Sequence, residues 1–204
     1  MSPNFGIGCL TALFLFASDA RIGWSAGTGE EAMSAGVDVE NFTPLRTIRV
    51  ASVNDLMTAL DDAHAGDLIE VADGDYHNPQ VLRIEGKAGR PRAPIVIRAA
   101  NRGQARIVGQ GGFQIDRCAY VAIEGFSLFH KDVDLACRMT SSHHCRFTRN
   151  HIRLDEIIAT ERLERRLHWL GIDGDDSHHN RVDHNLFEEK HNSGVMDLHR
   201  RFRG

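Results

Sequence analysis

The sequence predicts an all-β protein built as a parallel β-helix, a solenoid of short strands with one capping helix at its N-terminal end. Three observations carry that expectation. From Asp67 onward, short apolar alternations are separated by Gly, Asn and Asp, the texture of strands and turns. These units recur at intervals of about 25 residues with no helix between them, a repeat that buries its apolar face only by stacking on its neighbours. The polar residues at the bends recur in step with the apolar ones.

The 204 residues, 42% hydrophobic and 25% charged, have the composition of one globular domain with a sizeable core. A formal net charge of −4 argues against a general nucleic-acid binder, which would normally carry a basic excess. At the N-terminus, "FGIGCLTALFLFA" (Phe5 to Ala17) is a 13-residue apolar run. It is too short to span a bilayer comfortably and has the length of a secretory h-region. Residues 1–26 are therefore read as a signal peptide, cleaved near Ala20 or Ala26, although no Lys or Arg precedes the run. The mature protein is expected in the periplasm or outside the cell, with no membrane attachment after cleavage. Residues 27–45 read as a polar linker without function, and 46–204 as the β-helix domain.

The helix is expected in "SVNDLMTALDDAHAGD", where Ser52 can cap the first amides, Leu56, Ala59, Leu60 and Ala63 share one face, and Gly66 supplies the stop. It would cover the open end of the first coil, which otherwise exposes strand edges and core side chains. The strands follow as "LIEVADGDY", "PIVIRAANRG", "YVAIEGFSLF", "HCRFTRNHIRL" and "HNRVDHNLFEE". Aligned on one inward position, Val71, Ile97, Ile123, Phe147 and Val182 are separated by 26, 26, 24 and 35 residues. The last three are each followed five residues later by Leu128, Ile152 and Phe187, with Phe126, Asn150 and Asn185 in register between. The asparagines are expected to bond backbone groups at the bend. The longest interval fits one coil plus an insertion, Asp155 to Trp169, whose Arg162, Arg165 and Arg166 suit a solvated loop or short helix.

Two stretches, "SSHHCRF" and "DSHHNRV", place His143 and His178, and His144 and His179, at the same 35-residue interval. They are therefore equivalent positions on successive coils, stacked at the strand spacing of about 4.8 Å. Alternation sets His144 and Arg146 opposite Phe147, and His179 and Arg181 opposite Val182. These four are the candidate contacts for an anionic ligand. Their spacing matches no closed zinc set, so a polar ladder is expected in place of a metal site. "DGDDSHHN" lacks the alternating ligands and closing Glu of a calcium loop and reads as a turn. Outside the leader, Cys118, Cys137 and Cys145 fit no metal or redox spacing and are expected to be small buried residues, with one disulfide among them left open.

The succession "LMTALDDAHAGDLIEVADGDY", "GRPRAPIVIRAAN", "RIVGQGGFQI", "YVAIEGFSLF" and "HHNRVDHNLFEEKHNSG" resembles the N-terminal part of polysaccharide lyase family 6, the chondroitinase B and alginate lyase group, from about Val50 to Gly194. Asn-Arg-Val-Asp-His-Asn-x-Phe followed by Lys and Gly is its most specific segment. The resemblance implies a right-handed parallel β-helix that cleaves uronic-acid polysaccharides by β-elimination, with an anionic polysaccharide as partner. In such lyases a calcium ion with Asn and Glu support neutralises the carboxylate, a Lys removes the C5 proton, and an Arg assists the leaving oxygen. Those residues lie on coils following the "NRVDHN" unit, and the chain ends about ten residues beyond Gly194. Lys190 matches a family Lys outside the catalytic set. No catalytic, calcium or other metal ligand is therefore assigned, and the domain is expected to be truncated at its C-terminus and inactive by itself.

Alginate is the expected parent substrate, with chondroitin or dermatan sulfate next. One rival is a non-catalytic carbohydrate-binding β-helix that uses the outward His and Arg row. Another, an epimerase or hydrolase, needs a carboxylate cluster on one coil face, for which Asp173, Asp175 and Asp176 are the place to look.

Overall fold

A computed structural model of the chain describes residues 36–78, 80–109, 111–130, 135–153, 169–188 and 196–199. The leader, most of the charged insertion and Lys190 lie outside the described residues. The strands form three parallel sheets. The first holds β1 (Arg46–Val50), β2 (Asp67–Val71), β5 (Ile95–Ala99), β8 (Val121–Glu124), β11 (Arg146–Thr148) and β14 (Arg181–Asp183). The second holds β3 (Gly74–Asn78), β6 (Ala105–Gly109), β9 (Ser127–His130), β12 (His151–Ile152) and β15 (Leu186–Phe187). The third holds β4 (Leu82–Glu85), β7 (Phe113–Asp116), β10 (Cys137–Thr140), β13 (Leu170–Asp173) and β16 (Met196–His199). From β2 onward, successive strands enter the three sheets in turn, so three strands make one coil of a parallel β-helix.

The inward residues stack into columns that follow the sequence repeat. Ile69, Ile97, Ile123, Phe147 and Val182 form one column, and Tyr76, Ile107, Leu128, Ile152 and Phe187 a second. The third runs through Ile84, Ile115, Met139 and Ile172. The first column corrects one expectation: Ile69, not Val71, stands over Ile97, while Val71 pairs with Ala99. A shift of two residues leaves the same side chains facing inward, so the apolar pattern could not tell the registers apart. Below Ile69 lies Ile48 of β1, a strand the repeat did not reveal because its two arginines and Thr47 are largely exposed.

Helix α1 (Val53–Asp61) lies between β1 and β2 and buries Leu56, Ala59 and Leu60 against β1 to β4, which closes the end of the first coil. Ser52 Oγ accepts from the Asp55 amide at 3.1 Å, the cap the sequence anticipates. No described helix is long and apolar enough to cross a membrane.

The segment read as a linker is a strap over its described part. Val37 and Val39 are buried on the outer face of the first sheet, against Leu68, Val96, Tyr120 and Ala122. The cause lies in the strands: "DLIEV", "PIVIRA" and "YVAIE" are apolar on both faces, as parallel strands covered on both sides must be. That outer face needed a cover, and the strap supplies it.

Candidate functional site

The four histidines occupy one corner of two successive coils. His143 bridges in parallel to Ala119 on one side and His178 on the other, which fixes the corner in the same register as the strands. The next residue in each coil, Tyr120, His144 and His179, has a left-handed backbone with φ of 52°, 55° and 53°. In extended chain, consecutive side chains face opposite ways. The left-handed residue breaks that alternation and brings neighbouring rings edge to edge.

Within each coil, His143 Nδ1 lies 3.0 Å from His144 Nδ1, and His178 Nδ1 lies 2.8 Å from His179 Nδ1. Between coils, His143 stacks on His178, and His144 on His179, each with centroids 4.8 Å apart and planes within 3°. Tyr120 extends the second column below His144 at 4.6 Å. Tyr120 precedes His144 by 24 residues, the interval that separates Ile123 from Phe147, so the repeat could have placed it in the column. A hydrogen bond between two imidazole Nδ1 atoms needs one N–H and one bare lone pair, so each pair keeps at least one unprotonated nitrogen. Burial, then the neighbouring His143 and His179, push His178 below the usual histidine range. His143, His144 and His178 each offer one ligating atom, all within 4.8 Å of one another.

The expected outward row of His144, Arg146, His179 and Arg181 is brought together only in part. His144 is 7% exposed, between Tyr120 and His179. Arg146 does point away from Phe147, but the strap seals it. Its Nε and one terminal nitrogen donate to Asp183 at 3.0 and 2.9 Å. The other donates to Glu40 at 2.9 Å and the Val37 carbonyl at 3.2 Å. Its guanidinium is therefore committed inside the protein while the strap is in place. His179 and Arg181 remain exposed, with Arg181 Nε 2.7 Å from Asp183.

These pairs hold the strap. Arg149 bonds Glu40 at 2.5 Å and Glu124 at 2.9 Å, and Arg98 bonds Glu124 at 2.6 Å and the Val39 carbonyl at 2.8 Å. Burial acts to raise the Asp183 carboxyl, but the bonds and charge of Arg146, aided by Arg181, outweigh it and hold it at about 2. Glu40 is lowered chiefly by its bond to Arg146. Residue type alone gives no signal for Glu40, because its partner lies over a hundred residues away.

At the next bend the asparagine ladder forms as expected. Asn150 Oδ1 accepts from the Phe126 amide at 2.9 Å, and Asn185 Oδ1 from the Asn150 amide at 2.9 Å. Their amide groups donate to the Ile123 and Phe147 carbonyls. Cys118, Cys137 and Cys145 are buried and free, and burial raises all three thiols, Cys145 to about 12. Such thiols are poor nucleophiles.

Asp175 and Asp176 are exposed, whereas Asp173 is half-buried, 3.5 Å from Arg138. A calcium ion takes about six to eight oxygens. Among the described residues, the carboxylates that converge, Glu40, Glu124 and Asp183, are each engaged by arginine and do not form such a set.

A family model described as Chondroitinase B matches residues 50–199. Among solved structures, the fold is similar to that of a mannuronic acid specific polysaccharide family 6 lyase enzyme from human gut microbiota. The TM-score is 0.59 at 22% identity, covering 76% of this chain and 36% of that one. It is also similar to the PL6 family alginate lyase AlyGC, with a TM-score of 0.55 at 20% identity, covering 74% of this chain and 21% of that one. The chain thus spans well under half the length of either. No curated protein matches.

Proposed function

Because this chain belongs to the chondroitinase B family of polysaccharide lyases, we propose that its coils are part of an exported lyase that cleaves a uronic-acid polysaccharide by β-elimination. Alginate is the first candidate, and chondroitin or dermatan sulfate the second. The observation that carries the reading is the family match over residues 50–199, which takes in nearly all the described coils. The similarity of fold to lyases named for alginate and mannuronic acid favours alginate.

In this reading the described coils act as scaffold. β-Elimination needs a base at the C5 proton, a cation at the carboxylate and an acid at the leaving oxygen. The described corners supply no such set: Arg146 is spent on the strap, and the converging carboxylates Glu40, Glu124 and Asp183 are engaged by arginines. In this reading the described coils support a polyuronate-cleaving site and do not form one by themselves. The 13-residue apolar run at Phe5 to Ala17 supports export.

The experiment incubates the purified chain, with calcium, with polymannuronate, polyguluronate and dermatan sulfate. It reads the ultraviolet absorbance of unsaturated uronate and retardation in a polysaccharide-containing gel. The same assays are run on the longest open reading frame containing the chain. Cleavage by the longer product alone is the expected result. Cleavage by the chain itself would overturn the scaffold role, and cleavage by neither, with binding retained, would favour the non-catalytic carbohydrate-binding reading suggested by exposed His179 and Arg181.

A further inference from the structure

We propose that the histidine corner is a binding site for a borderline divalent transition-metal ion, zinc being the probe of choice, held by His143, His144 and His178. It is separate from any calcium chemistry of the family, because its donors are nitrogens. Imidazole selects zinc, nickel or copper, whereas calcium requires oxygen.

The geometry supplies the argument. One ligating atom from each of the three rings lies within 4.8 Å of the others. With zinc–nitrogen bonds of about 2.0–2.1 Å, two nitrogens on one tetrahedral ion sit about 3.3 Å apart. The His143 and His144 Nδ1 atoms, at 3.0 Å, need open by only a few tenths of an ångström. Their present contact is itself informative: one ring of the pair donates through Nδ1–H, and moving that proton to its own Nε2 through solvent frees both Nδ1 lone pairs for an ion. The third ring closes the remaining distance by rotating, which His178 can do because it is on the exposed side.

Two of the three ligands are already organised. His144 is clamped between Tyr120 at 4.6 Å and His179 at 4.8 Å, and His143 is fixed by its backbone bridges to Ala119 and His178. Three protein nitrogens would leave one position for water or for a donor from a ligand. His179, whose Nδ1 lies 2.8 Å from that of His178, is placed to hydrogen-bond the His178 ring or to join the ion itself. The ion would tie two successive coils together, since His143 and His144 stand on one and His178 on the next.

The test uses the full chain, freed of metal and titrated with zinc, with bound metal measured after equilibrium dialysis. Cobalt serves as a spectroscopic stand-in whose visible bands report tetrahedral nitrogen ligation. The expected result is a single zinc per chain and a raised Tm. An excess of calcium should leave binding unchanged, and affinity should fall in acid as the imidazoles take up protons. The double variant His143→Ala/His178→Ala should bind at least about tenfold more weakly and lose the cobalt bands. Exposed His77→Ala should match the wild type. If the double variant does not fold by circular dichroism, His178→Gln alone carries the test, because its ring is at the surface. Zinc bound equally by wild type and variant, or displaced by calcium, would overturn the proposal, as would no zinc binding at all.

Discussion

Replacing Arg146 with Ala should loosen the strap and destabilise the coil stack together. The guanidinium is 3% exposed and bonds two carboxylates, Asp183 at 16% and Glu40 at 42% side-chain exposure. Breaking a buried ion pair by removing one partner costs about 3–5 kcal/mol, chiefly because the other charge stays buried and unpaired. That range must be discounted here: Glu40 can turn to water, and Asp183 keeps Arg181 at 2.7 Å. About 2–3 kcal/mol is then expected, or a fall in Tm of roughly 5–10 °C for a chain of this size. The pH dependence gives a second reading. Both carboxyls titrate lower in the folded protein than in the unfolded chain, so their contribution is complete above the ordinary carboxyl pKa of about 4. It is lost as pH falls towards the Asp183 value of about 2. Thermal melts from neutral pH into that range should therefore show a gap between wild type and variant that shrinks in acid. A gap below about 1 kcal/mol at neutral pH, or one unchanged in acid, would refute the reasoning.

Three further substitutions, two of them with a control, test other parts of the stack. Asn150→Ala strips the Phe126 amide and the Ile123 carbonyl of their partner inside the protein, and should cost about 2–4 kcal/mol in urea unfolding. Gly112→Ala would place a Cβ 2.1 Å from the Ala136 carbonyl oxygen, backbone that cannot turn aside, so the variant should be recovered unfolded or insoluble. Gly36→Ala, which meets nothing within 4 Å, should be recovered as wild type is. Phe147→Ala opens a gap in the first core column between Ile123 and Val182 and should cost about 3–5 kcal/mol by the same unfolding measurement, far more than exposed Leu186→Ala.

The core was legible because stacking imposes a period on the sequence. Once Ile123, Phe147 and Val182 are aligned, Leu128, Ile152 and Phe187, and then Asn150 and Asn185, fall into register without further assumption. Where the period carries no information, the reading fails. The choice between Ile69 and Val71 is silent because both point inward. Burial of Arg146 is invisible for a different reason: alternation tells which way a side chain points, not what lies on top of it. The strap that covers it owes its position to Val37, Val39 and Glu40, three residues in a stretch with no periodicity at all.

The corners hold the remaining information, and their backbone says why. A left-handed conformation costs a residue other than glycine roughly 1–2 kcal/mol, yet Tyr120, His144 and His179 adopt it in three successive coils. Glycine does stand at the corresponding kind of position elsewhere, as Gly125 does at φ of 82° where Arg149 and His184 have 55° in the following coils. Non-glycine residues at such corners need a compensating contact. Arg149 finds it in Glu40 and Glu124. Tyr120, His144 and His179 find it in one another, through ring stacking that the solenoid's own spacing of 4.8 Å provides. The same spacing that makes a coil stack stable thus gathers like side chains into columns, and at a left-handed corner it sets two such columns edge to edge. Ligating nitrogens are brought together there by backbone geometry, with no motif of contiguous residues to announce them.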